Sequence, residues 1–283
     1  MIHRLTFSAH QLHLRSLENR LLACLDEMAK WMRVNRLCLN PAKSQFMRCA
    51  TSRRLGQLDD TTITFCDAQI TPVQSVRNLG VLMDASLSFL QHVNHVVSSG
   101  FYHLRSIKST IKSLPFETAK TLVNCFVISR IDYCNSLLVG IRRYALDRLQ
   151  RVINAAARML CGAGKDCHIS DFVRDHLHWL PVPLRVRFKL WLTMYKVTRG
   201  LAPAYLSELC ERANADIRTR SSDRGDLAIQ RTKTKFGQRA FVVAGPAAWN
   251  SLPCHIRNAQ SVNSFKTALK TFLFSCQWWT VTF

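Results

Sequence analysis

From Ser86 onward, apolar residues return every three or four positions, and that spacing is the period of an amphipathic helix. Leu87, Leu90, Val93, Val96, Phe101, Leu104, Ile107 and Ile111 predict a helix over 86–112. Pro115 suits a first helical turn, and a second helix should follow it to about Arg130. The clearest pattern is "YALDRLQRVINAAARMLC" at 144–161. Leu146, Leu149, Val152, Ile153, Ala156 and Leu160 make one face, Arg148, Arg151 and Arg158 fall on the other, and Gly162 fits a C-terminal cap. Further helices are expected over 184–199, closed by Gly200 and Pro203, and over 261–274, with Ser261 as N-cap.

Before Ser86 the texture is shorter and mixed. Residues 15–36 read as a helix that Pro41 stops. "SQFMRCA" (44–50) reads as a strand, 61–74 as a small hairpin turning around Cys66–Gln69, and "SVRNLGVLMD" (75–84) as one strand in which Gly80 allows close backbone approach. The predicted class is therefore α+β, a small antiparallel part followed by a mostly helical one. The expected division is 1–90, 91–210, a mobile basic loop over 211–235, and a C-terminal extension over 236–283. The loop is assigned because it is polar and poor in large apolar groups.

Charge narrows the function. The chain has 283 residues with 39 Lys+Arg against 18 Asp+Glu, a net of +21. Such an excess favours an anionic partner, nucleic acid first. It is spread through the chain, so the cations must lie on folded faces. The 11 scattered cysteines read as reduced thiols. No apolar run reaches the length of a membrane span, and the N-terminus lacks a signal-peptide core. A nuclear or cytoplasmic, non-secreted protein without membrane contact is expected.

Several residues are candidates for chemistry or binding. Trp179, Trp191 and Tyr195 in "HWLPVPLRVRFKLWLTMY" could stack bases while Arg185, Arg187 and Lys189 meet phosphates; helical spacing favours a core role for the rings. Arg148, Arg151 and Arg158 form a candidate phosphate ridge, joined by the pair Arg142–Arg143. Lys233 and Lys235 in "RTKTKFGQR" add basic charge. "CGAGKDCH" (161–168) lacks the spacing of a phosphate loop. Cys161, Cys167, His168, His176 and His178 do not match a standard zinc spacing. Asp59, Asp60 and Asp84 read as turn or strand-end residues, and no metal site is expected.

Six segments in order carry a family likeness: "WMRVNRLCLNPAKSQF" (31–46), "NLGVLMDASLSF" (78–89), "SRIDYCNSLLVG" (129–140), "LDRLQRVINAAARML" (146–160), "LHWLPVPLRVRFKLWLTMYKVTRGLAPAYL" (177–206) and "RAFVVAGPAAWNSLPCHIRNAQSVNSFKTALKTFLF" (239–274). Together they resemble the C-terminal part of reverse transcriptases of non-LTR retrotransposons, the chicken-repeat and jockey-like long interspersed elements. "SCQWWTVTF" (275–283) lies outside the likeness.

The resemblance implies that 1–90 is the end of a polymerase palm, with "NLGVLMD" as the primer-gripping hairpin, and that a helical thumb and its extension follow. It implies RNA, DNA or their hybrid as partner. It implies that Lys43 could protonate the departing pyrophosphate in an intact enzyme using magnesium. In the family an aromatic-Ala-Asp-Asp turn precedes "QL" and the helix. Here the aspartate pair aligns with Ser8 and Ala9, which cannot hold a divalent ion, and the other palm and finger segments are not in this sequence. No polymerase activity and no cofactor are therefore expected, only sequence-independent binding. The alternatives are a protein-interaction or structural remnant, or an inert relic.

Overall fold

The computed structural model describes residues 14–38, 40–57, 62–65, 68–164, 166–210 and 225–275. The chain forms two compact units, Met1–Ser88 and Phe89–Phe283. The class is α+β, mostly helical, with two small antiparallel two-stranded sheets.

The first unit opens with α1 (Leu14–Val34). Pro41 does not end it. Arg36 sits in the left-handed region at φ 57°, and the Leu37 N–H closes back onto the Met32 carbonyl at 2.8 Å. That six-to-one bond satisfies an otherwise orphaned carbonyl and stops the helix before the proline is reached. Pro41 instead begins a single 3-10 turn, Pro41–Lys43.

The strand expected over 44–50 is reduced to one parallel bridge between Phe46 and Pro72. The Val73 N–H donates to the Phe46 carbonyl at 2.8 Å, and no named strand grows from that bridge among the described residues. β1 (Ile63–Phe65) and β2 (Ala68–Ile70) do form a hairpin, with Ile63 opposite Ile70 and Phe65 opposite Ala68. Ala68 and Gln69 thus belong to the strand, not to the turn. The stretch read as one strand over 75–84 is a second hairpin of β3 (Ser75–Asn78) and β4 (Val81–Asp84). Leu79 and Gly80 turn it with φ of 47° and 87°. Two consecutive left-handed residues match the twist of the strands they join, so Gly80 serves the turn. Asp84 ends β4 and accepts a hydrogen bond from the Ser88 N–H at 2.9 Å.

The second unit begins with α2 (Leu90–Ile111). It starts later than the apolar period suggests because Leu87 and Phe89 are both left-handed. A helical hairpin returns through α3 (Phe116–Val123), which runs on through a π-helical turn, Asn124–Ile128, and a last α turn, Ser129–Asp132. α4 (Arg143–Cys161) ends at Gly162 with φ 68°. α2 and α4 pack closely at Gly100, where an added Cβ would come 2.7 Å from Val152 Cγ1.

α5 (Val182–Thr198) is the central helix of the remaining core, with α6 (Phe241–Asn250) and α7 (Val262–Ser275) against it. The extension is therefore part of the helical unit. Trp191 donates its indole N–H to the Ala248 carbonyl at 2.7 Å, and the Tyr195 hydroxyl donates to the Ala259 carbonyl at 2.8 Å. Tyr195 stacks on Phe265 with centroids 4.3 Å apart.

Of the mobile loop expected over 211–235, residues 225–235 are among those described. Leu227 is buried and exchanges hydrogen bonds with the Asn250 side chain at 2.9 and 2.8 Å. Asp226 meets Arg257 at 2.7 Å. Residues 211–224 lie outside the described residues.

Candidate nucleic-acid interface

α4 presents the arginine ridge because its apolar residues occupy one side. Ala145, Leu146, Leu149, Val152, Ile153, Ala156 and Ala157 are buried, while Arg142, Arg143, Arg148 and Arg151 are exposed. Arg143 pairs with Asp147 at 3.1 Å. Arg148 and Arg151 make no ion pair among the described residues. Arg158 lies along the same ridge but is half-buried, and its guanidinium donates to the Cys167 carbonyl from both Nε and Nη2 at 3.3 Å. The ridge is thus mainly Arg148 and Arg151.

The cations of α5 are treated differently. Arg185 donates to Asp132 at 2.7 Å and to the Leu180 carbonyl at 2.7 Å, and its side chain is 11% exposed. Arg187 lies over the Trp191 ring at 5.9 Å. Lys189 is exposed. Trp179, Trp191 and Tyr195 are each at most 5% exposed, so none of these rings is open to a base.

A groove of about 680 Å³ gathers cations that the linear sequence keeps apart. α5 supplies Arg185 and Lys189, α7 supplies Lys266 and Lys270, and α3 supplies Lys120. Each α5 and α7 pair is spaced by four residues, so its two members sit one turn apart on the same helix face. Among the described residues Asp132 is the only carboxylate lining the groove, and Arg185 already occupies it. Lys189, Lys266 and Lys270 are exposed and make no ion pair among the described residues. Asn135, 3% exposed, also lines the groove, and its Oδ1 accepts no hydrogen bond among the described residues. Nothing in the spacing of the separate segments signals this convergence of three helices; Lys120, Lys266 and Lys270 escape the sequence reading for that reason.

Lys233 and Lys235 are exposed beside a short turn, Lys235–Gln238, capped by the Thr234 hydroxyl. Lys43 is exposed at the end of its 3-10 turn in the first unit. Ser8, Ala9, Asp59, Asp60 and Lys165 lie outside the described residues. Among the described residues no group of three or more His, Cys, Asp or Glu side chains could hold a metal ion, and none of the helices is long and apolar enough to cross a membrane.

Two histidines of α2 are shifted toward the neutral form. Burial lowers the His92 pKa first and the nearby His95 adds to it. Burial also lowers His103, with Arg130 as the second cause.

Set against known proteins, the chain matches no family model, no curated protein and no solved structure.

Proposed function

We propose that this chain is a C-terminal, non-polymerising portion of a non-LTR retrotransposon reverse transcriptase that binds RNA, DNA or their hybrid without regard to sequence. The six-segment likeness supports the family, with 1–90 as the palm end and the helices beyond it as thumb and extension. Ser8 and Ala9 at the aspartate positions support the lack of polymerisation, because neither offers the oxygen charge that two-metal chemistry requires.

The groove of Lys120, Lys189, Lys266 and Lys270 is the observation that carries the binding. Three exposed ammonium groups around a cleft whose one carboxylate among the described residues is already occupied leave a local positive field. Lysines act there as point charges, which suits backbone phosphates and carries no base readout.

The test is binding of the purified chain to a labelled RNA–DNA hybrid over a salt series, beside a Lys189→Ala/Lys266→Ala/Lys270→Ala variant. Wild type should bind tightly at low salt and lose affinity steeply as salt rises. The variant should bind more weakly, with the salt slope reduced by roughly one for each phosphate it no longer neutralises. Absence of low-salt binding by the folded wild type refutes the reading and leaves a protein-docking remnant or an inert relic. Primer extension that survives rigorous removal of contaminating polymerase refutes the claim of inactivity.

A further inference from the structure

The hairpin of α2 and α3 carries an aromatic cluster that the core does not use. Tyr102 meets His103 edge-on with centroids 5.4 Å apart at 77°. His103 in turn stacks on Phe126 at 5.9 Å and 29°. Tyr102 is 61% and Phe126 44% exposed. The sequence hides this arrangement because Phe126 lies in the π-helical turn. Ala119, Val123, Val127 and Ile131, spaced by four, are all buried. A pure α-helix would let such a spacing drift around its surface; the wider π turn takes back part of the drift. Phe126 and Arg130, also spaced by four, are left exposed on the outside.

The charge around these rings is one-sided. Over residues 90–133 the only acids are Glu117 and Asp132. Glu117 pairs with Lys120 at 3.9 Å and Asp132 with Arg185 at 2.7 Å. Arg105, Lys108, Lys112 and Arg130 are exposed and make no ion pair among the described residues. A protein partner for this face would need acidic side chains among apolar ones. A strand with unpaired bases carries both parts in every nucleotide: a flat π face for the rings and a phosphate for the cations. A duplex keeps its base faces stacked inside and cannot use the rings.

We propose that Tyr102, His103 and Phe126 form a stacking platform for single-stranded nucleic acid, with Arg105 and Arg130 meeting its backbone. The platform is separate from the lysine groove in the residues that build it and in the chemistry it reads. It tolerates any sequence, because every base has a π face.

The experiment uses the full chain and two labelled probes at fixed moderate salt: an oligo-dT strand and a blunt RNA–DNA hybrid of equal length. A Tyr102→Ala/Phe126→Ala variant, checked for unchanged circular dichroism and melting, should lose roughly tenfold or more in affinity for the strand. Its affinity for the hybrid should stay within about twofold of wild type, which the contrast between stacked and unstacked bases demands. A Tyr102→Phe/Phe126→Trp variant keeps the π surfaces and should bind the strand like wild type. Equal strand affinity for wild type and the alanine variant overturns the platform. So does equal loss on both probes, or an effect confined to self-association. Failure of the hybrid alone in wild type would speak against the groove reading and leave the platform standing.

Discussion

Two helices of the same unit each carry four cations, and the fold uses them differently. On α4, Arg148 and Arg151 stand in solvent and only Arg158 is folded back, onto the Cys167 carbonyl. On α5, Arg185 is drawn into an ion pair and Arg187 lies over a buried tryptophan, while Lys189 and Lys196 face water. The difference follows from the apolar residues between the charges. Those of α4 keep to one side, so the opposite side is left for solvent. Those of α5 do not: Leu184 and Val186 are two positions apart and both buried, and Leu190, Trp191, Met194 and Tyr195 add further faces. A helix buried on several sides keeps only a narrow exposed strip, and cations outside that strip pair internally or lie along buried rings. Counting arginines in a window therefore overstates α5 as a binding surface and describes α4 better.

The largest expected effect comes from breaking the buried side of this comparison. Trp191→Ala removes a core ring and the hydrogen bond to Ala248, and should destabilise the helical unit by about 3–5 kcal/mol in urea unfolding. A cost below about 1 kcal/mol would mean that α5 is not central. The next effect concerns Arg185. Asp132→Ala strands a guanidinium that is mostly out of water. Truncating one partner of a fully buried pair costs about 3–5 kcal/mol, and because Asp132 keeps part of its surface in water the expected loss here is about 2–3 kcal/mol. Adding Arg185→Leu to that variant should recover much of the loss, since the second change removes the unpaired charge. If the single substitution is neutral, Arg185 is available to ligands after all.

What the sequence reveals and what it hides follow the same physics. α4 is legible from end to end because one period, one polar stripe and one terminal glycine agree. The hairpin at Leu79–Gly80 is hidden because a leucine adopts the left-handed conformation usually left to glycine or asparagine. The strand expected at 44–50 pairs at Phe46 alone, because a strand needs a partner along its length and local propensity does not report one. For the candidate site the contrast is sharper. The arginine ridge is local and can be read. The lysine groove joins residues from position 120 to position 270, and only packing brings them together. The aromatic residues show the limit of composition: Trp179, Trp191 and Tyr195 suggest base stacking by type but are core, while Tyr102 and Phe126 are exposed where no such motif is written.

The smallest effect on stability should accompany a clear effect on binding, and it tests the exposed side of the comparison. Arg148→Ala/Arg151→Ala removes two side chains that face solvent on a helix already secured by its apolar face. Alanine is also the best helix former. The change in unfolding free energy should stay within about 0.5 kcal/mol per site. If phosphates touch this ridge, affinity for an RNA–DNA hybrid falls and the salt slope drops by roughly one for each phosphate left without its arginine. The drop should add to that of the Lys189/Lys266/Lys270 variant if one nucleic acid spans both surfaces, because independently bound phosphates release their counterions separately. An unchanged slope in the arginine variant, with the lysine variant impaired, would confine binding to the groove and make the ridge a solvated helix face. Loss of stability without a change in slope would instead show that the outward face of α4 is held by interactions its exposure does not suggest, and the contrast with α5 would have to be drawn differently.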